Sequence, residues 1–263
     1  MHKRLVDPGF HSYRRDKMFL IKIMKAFAVM DSFEHFCPEH IGMLITIAVA
    51  ITAGLLILKR SSDKNALTVI RILSLIVLLG ETVQDILLVR EGGDIMGFLP
   101  LHLCNLGLFL NLAASFIKGK AQSFFAEISL VLIMPGSVGA LLFPDWTYRP
   151  FWSYLPLLCF LTHSLTVFIP LAFLIKGRIR VSFKHFWYPY LFLLAAVPPI
   201  YLLDIRAGQN YMFLLYPPQS SPLEWIYNIT GDNLYISGLI VLLTVVLLIE
   251  YSLYTAARRI SKA

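Results

Sequence analysis

The sequence predicts an all-α polytopic membrane protein, a bundle of seven transmembrane helices with its N-terminus outside and its C-terminus in the cytoplasm. Three observations predict it. Hydrophobic residues make up 57% of the chain and charged residues only 15%, and mean hydropathy is +0.70; a water-soluble domain averages about 25% charged residues. Apolar runs of about 20 residues, each long enough for a ~30 Å hydrocarbon core, recur along the whole chain. Basic residues gather at alternate connections between those runs.

The runs, in order, are 41–58, 66–89, 95–117, 124–143, 151–175, 186–203 and 233–254. The first ends at Lys59 and Arg60. The second carries Glu81, Gln84 and Asp85 near its far end. The third, "IMGFLPLHLCNLGLFLNLAASF", carries His102, Cys104 and Asn105 in its first half. The fourth is expected to break at Pro135-Gly136, and the fifth opens on "FWSYLP", an interfacial aromatic belt. Short connections leave no room for a soluble domain, so residues 30–263 are read as one unit without repeats or low-complexity segments.

Orientation follows from charge. Lys59, Arg60 and Lys64, then Lys118 and Lys120, then Lys176, Arg178, Arg180 and Lys184, and finally Arg258, Arg259 and Lys262 all fall on one side; the opposite connections offer Arg90, Arg149 and Arg206. The positive-inside rule puts the richer side in the cytoplasm. The formal net charge of +7 thus marks helix ends and anionic lipid heads, not nucleic acid. Residues 1–29 form a basic extension that conflicts with an outside N-terminus. They make no signal peptide, because Lys22 and Lys25 interrupt the apolar stretch. They are read as a surface helix or, in preference, as lying ahead of a true start at Met30.

Polar groups inside spans usually face the bundle interior or a water-filled cavity. Counted from the outer helix ends, Glu81, Cys104 and His163 lie at roughly 13 to 15 Å depth. This predicts an outward-opening pocket lined by Glu81, Gln84, Asp85, His102, Cys104, Asn105 and His163, with His40 and Asp145 at helix ends on the same side. The cytoplasmic halves read as almost purely apolar, which argues against a channel. Each residue also has a plainer role. Buried Cys is commonly a small apolar filler, the reading kept for Cys37 and Cys159. His102 and Asn105, three apart, share a helix face and could bind one helix to another. Three cysteines without a C-x-x-C, and no paired histidines one turn apart, fit no metal site; no nucleotide-binding glycine loop occurs and no cofactor is expected.

The stretches "FEHFCPEHIGMLI", "LPLHLCNLGLF", "MPGSVGALLFPD", "FLTHSLTVFIPLAFL" and "NYMFLLYPPQSSPLEWI" follow one another in this chain. In that order they resemble the YwaF-like bacterial integral membrane proteins, which are related to the eukaryotic transmembrane protein 164, described as an acyltransferase that places polyunsaturated acyl chains on ether phospholipids. The resemblance covers about residues 30 to 255. It implies Cys104 and His163 as the reactive pair, and a membrane phospholipid or lysophospholipid as partner. The loop "LLYPPQSSPLEWIYNITGDN" is plain, and no substrate-binding role transfers to it.

The chemistry is coherent on its own terms. A thiolate attacks an acyl ester, forms a thioester and passes the acyl group to a lysolipid hydroxyl or to water. A thiol reacts as its thiolate, so one among apolar side chains needs a base beside it. His163 suits that role, with Glu81 or Asp85 to orient it and Asn105 or His102 to donate to the oxyanion. The leading expectation is a membrane acyltransferase or lipid hydrolase using Cys104 and His163. The alternative is a non-enzymatic pocket, a transporter or receptor for a small amphiphile. The membrane is the cytoplasmic one in a bacterium and the endoplasmic reticulum in a eukaryote.

Overall fold

The computed structural model describes residues 32–260. The expected extension, residues 1–29, lies outside them. The described residues form helices and no strands. Seven principal helices follow one another: α1 (Pro38–Arg60), α2 (Asp63–Arg90), α3 (Leu103–Phe116), α4 (Lys120–Leu142), α5 (Tyr154–Ile175), α6 (Tyr188–Ala207) and α7 (Pro222–Ile260). Six are long and apolar enough to cross a membrane. The exception is α3, whose 14 residues span about 21 Å at 1.5 Å per residue, short of a ~30 Å core.

The predicted third span is therefore helical only in its second half. Residues 95–102 form one 3₁₀ turn, Ile95–Phe98, and then a bent, non-helical stretch in which Leu101 N–H donates to Leu99 O at 2.7 Å. Pro100 is the cause. It has no N–H to donate, and its ring drives Leu99 out of the helical region; Leu99 sits at φ −59°, ψ 139°. No helix therefore runs through Leu99, and α3 begins three residues past Pro100, with His102 as the extended N-cap residue. The expected break in α4 also takes another form. Pro135 cannot donate to Val131, and the turn before it widens into a π-helix, Ser129–Ile133, closed by Met134 N–H donating to Ser129 O. The helix then runs on to Leu142. In α7 a true break occurs at Gly231, where φ 65° and ψ −179° suit only glycine.

Helix α5 stands at the centre, packed by α1, α2, α3 and α4. Its Phe168, Ile169, Ala172 and Phe173 join Ile70 and Val77 of α2, Leu108 and Ala114 of α3, Leu130 and Val131 of α4, and Leu247 and Tyr251 of α7 in the main core. Apart from that core, α3 and α4 meet closely: a Cβ on Gly107 would lie 2.2 Å from Ile133 Cγ2.

Both ends are pinned by polar contacts. At the basic end the Lys176 ammonium pairs with Asp63 at 2.9 Å and donates to Ser61 O, and Arg71 donates to Ser115 O. At the other end Glu91 accepts from Arg149 at 2.6 Å and from Tyr154 at 2.7 Å. The alternation of connections inferred from charge therefore corresponds to two physical ends. One expectation fails. The halves toward the basic end are not purely apolar: buried Ser74, Asn111, Ser115 and Ser129 form a hydrogen-bonded chain. Below it, buried Glu127 accepts from His185 at 2.8 Å and from Tyr251. Single hydroxyls and amides inside apolar runs give no periodic signal, so they escape a hydropathy reading.

Two outcomes follow from these contacts. Gly107→Ala should destabilise the bundle by about 1–3 kcal/mol, the usual cost of overpacking, seen as a lower Tm in detergent; adding Ile133→Ala should recover part of it. The Tyr154 hydroxyl, followed by Arg149, holds the Glu91 carboxyl below its ordinary 4.5. A lowered native value means the latch contributes in full above pH 4.5 and fades as the pH falls below it. Glu91→Gln should therefore lower Tm at pH 7 and make no difference in acid.

Candidate active site

Three helices bring the polar groups together. On α2, Val77, Glu81 and Asp85 stand one turn apart along a single face. The first turn of α3 brings Cys104 and Asn105, with Leu108 a turn later. Helix α5 contributes Cys159, Thr162, His163 and Thr166, whose 3- and 4-residue spacing again makes one face. Between them is a crevice lined by Val77, Glu81, Cys104, Leu108, Thr162, His163 and Thr166, too narrow to admit a water molecule. Small-molecule pockets begin at ~300 Å³, so a lipid acyl group enters only if the walls part.

The hydrogen bonds define the state of each group. His163 Nδ1 donates to the Cys159 carbonyl at 2.7 Å. A carbonyl can only accept, so in the neutral ring the lone pair sits on Nε2. The indole of Trp146 stacks on this imidazole at 5.8 Å between centroids. Asn105 bridges two partners: its Nδ2 donates to Glu81 Oε2 at 3.0 Å, and its Oδ1 accepts from the Cys104 thiol at 3.3 Å. The Cys159 thiol donates to Gln84 Oε1 at 3.1 Å. Cys104 is the second residue of α3, where the helix dipole favours negative charge.

Of the residues expected to share a site, Glu81, Cys104, Asn105 and His163 come together, and Asp85 lies one turn of α2 beyond Glu81. Cys104 does not lie deep along a helix, as the depth count from the helix end assumes; it stands in the first turn of one. His102 caps that helix and shares no face with Asn105. Its ring packs against Tyr211 and Phe213 at 5.5 and 5.3 Å. The orienter expected for His163, Glu81 or Asp85, is replaced by the Cys159 carbonyl. His40 is elsewhere: Phe36 N–H donates to its Nδ1 at 3.0 Å, and its Nε2 donates to Leu141 O at 2.8 Å. Nδ1 is thereby committed to the turn before α1 and Nε2 to joining α1 with α4. Asp145 sits beside Trp146 on the loop between α4 and α5, near Tyr148. Thr162, Thr166 and Trp146 were not anticipated. The spacing around His163 contains the first two, whereas Trp146 arrives by tertiary packing alone. Among the described residues no cluster of His, Cys, Asp or Glu is arranged to hold a metal ion.

His40→Ala should lower Tm, because it strips partners from a buried N–H and a carbonyl, while Cys104 alkylation by iodoacetamide stays at the wild-type rate. A changed alkylation rate in folded protein would tie His40 to the site.

Comparison with curated proteins and with solved structures gives no match. A family model described as the TMEM164 family matches residues 35–251, which take in α1 to α6 and most of α7. The helices, the crevice between α2, α3 and α5, and every residue that lines it lie within that stretch, and the chain belongs to the TMEM164 family.

Proposed function

We propose that the protein is a membrane-embedded lipid acyltransferase, with Cys104 as nucleophile and His163 as general base. The observation that carries this reading is that Cys104, at a helix N-terminus, and His163, whose Nδ1 bond to a carbonyl leaves the lone pair on Nε2, line one crevice. Family membership supports it. In the first half-reaction Nε2 takes the thiol proton, sulfur bonds to the ester carbonyl carbon, and the C–O bond breaks. The imidazolium returns its proton to the departing lysolipid oxygen. In the second, Nε2 takes the proton of an acceptor lysophospholipid hydroxyl. Its oxygen bonds to the thioester carbon, the C–S bond breaks, and the sulfur regains its proton. Water as acceptor makes the same site a hydrolase.

We read residues 95–116 as the seventh crossing, completed by the irregular segment before α3. Its two ends support this: Gln209 bonds Asp94 at one, and Arg71 bonds Ser115 at the other. With the basic end cytoplasmic, the crevice lies toward the outer leaflet of a bacterial cytoplasmic membrane, or the lumenal leaflet of the endoplasmic reticulum.

Intact-mass spectrometry after incubation with phospholipid tests the chemistry. Wild type should gain one acyl chain mapped to Cys104, Cys104→Ser should gain none as a thioester, and His163→Ala should acylate about 10²-fold or more slowly. Phospholipid that co-purifies with all three proteins while none is acylated would favour a binding pocket for amphiphiles.

A further inference from the structure

Asn105 touches both the carboxylate of Glu81 and the thiol of Cys104, and the chemistry of the two contacts is linked. An ionised carboxylate only accepts hydrogen bonds. While Glu81 is charged, the amide must turn its NH₂ toward it. The donor distance of 3.0 Å is that of a well-formed bond. The carbonyl oxygen is then left facing sulfur, and it accepts the thiol hydrogen at 3.3 Å. An acceptor on the S–H holds the group as a thiol. The opposite amide orientation would offer sulfur an N–H, and a donor favours the thiolate that reacts. One side chain thus presents either an acceptor or a donor to the nucleophile, and its neighbour's charge decides which.

Resting on Cys104 as the nucleophile, we propose that Asn105 is an amide switch on its thiol, held in the restraining orientation by Glu81, so that both are positioning residues that regulate the site. Loss of the Glu81 charge releases the amide. Entry of a substrate that competes for either end of Asn105 does the same. The thiol hydrogen is then free to turn toward Nε2 of His163. The other titratable groups around the thiol have different engagements. Asp85 lies one turn beyond Glu81 on α2, His102 packs against aromatic rings, Cys159 donates to Gln84, and His163 donates through Nδ1 to a backbone carbonyl.

The test is a double-mutant cycle read by iodoacetamide alkylation of Cys104 in detergent, quantified on the Cys104 peptide at fixed pH. Glu81→Gln should speed alkylation by about fivefold, the size of one neutral hydrogen bond. Asn105→Ala, which removes the acceptor, should be at least as fast. Adding Glu81→Gln to Asn105→Ala should change nothing further, because Glu81 acts through the amide. Equal acceleration by Glu81→Gln with and without Asn105 would show a through-space charge effect and overturn the switch. An unchanged or slower Glu81→Gln rate would overturn it as well. If Glu81→Gln does not fold, Asn105→Ala decides alone: a folded variant no faster than wild type refutes the proposal. Iodoacetamide needs no lipid, so this outcome and the acyl-capture outcome stand or fall separately.

Discussion

A backbone that leaves the helical conformation inside a bilayer must find its cover within the protein. Much of this structure covers one non-helical stretch among apolar helices, residues 99–102. Pro100 ends any helix that would have begun at Ile95, so Leu99 to His102 leave the helical conformation before α3 begins. The loop after α6 lies over them. Leu99, Leu101 and Leu106 pack with Ile200, Tyr211 and Leu214, and Tyr211 and Phe213 close on the ring of His102. The loop is itself braced. Asn210 accepts from Leu215 and Tyr216 N–H groups and donates to Tyr216 O, and buried Asp204 accepts from the Tyr211 N–H. Met212 and Phe213 hold left-handed backbone angles, φ 53° and 56°, strain that side chains beyond Cβ rarely adopt without such support.

The same proline creates the site. A continuous helix from 95 to 117 would bury Cys104 in mid-span with its backbone groups already paired. Starting the helix at Leu103 instead gives the thiol a helix N-terminus, and places Asn105 where it reaches Glu81 on α2. The close approach of α3 to α4 at Gly107 then sets how deep this turn sits against α5. Fold and site therefore share a cause.

The number and order of helices were legible in the sequence because burial in lipid writes itself as long apolar runs, and lipid charge asymmetry as clusters of Lys and Arg. Glu81, Asn105, Cys104 and His163 were legible as a group because polar residues in such runs are costly and conspicuous. Their bonding was not legible. That Asn105 rather than His163 meets Glu81 depends on a helix start at Leu103, just past Pro100, which a hydropathy window averages away. The serines and Asn111 below the crevice were missed because hydroxyls and one amide barely lower a run's hydropathy. Glu127 was missed although it stands inside the fourth run, because it lies near that run's basic end, and His185 falls in a basic connection; only the fold joins the two.

The two polar networks approach but do not join. Between Glu81 and Ser74 on α2 stands Val77, and between Cys104 and Asn111 on α3 stands Leu108; both form walls of the crevice. Val77 and Leu108 thus separate two hydrogen-bonded systems, and among the described residues no hydrogen bond carries a proton from the Glu81–Asn105–Cys104 group to the serine and Asn111 chain.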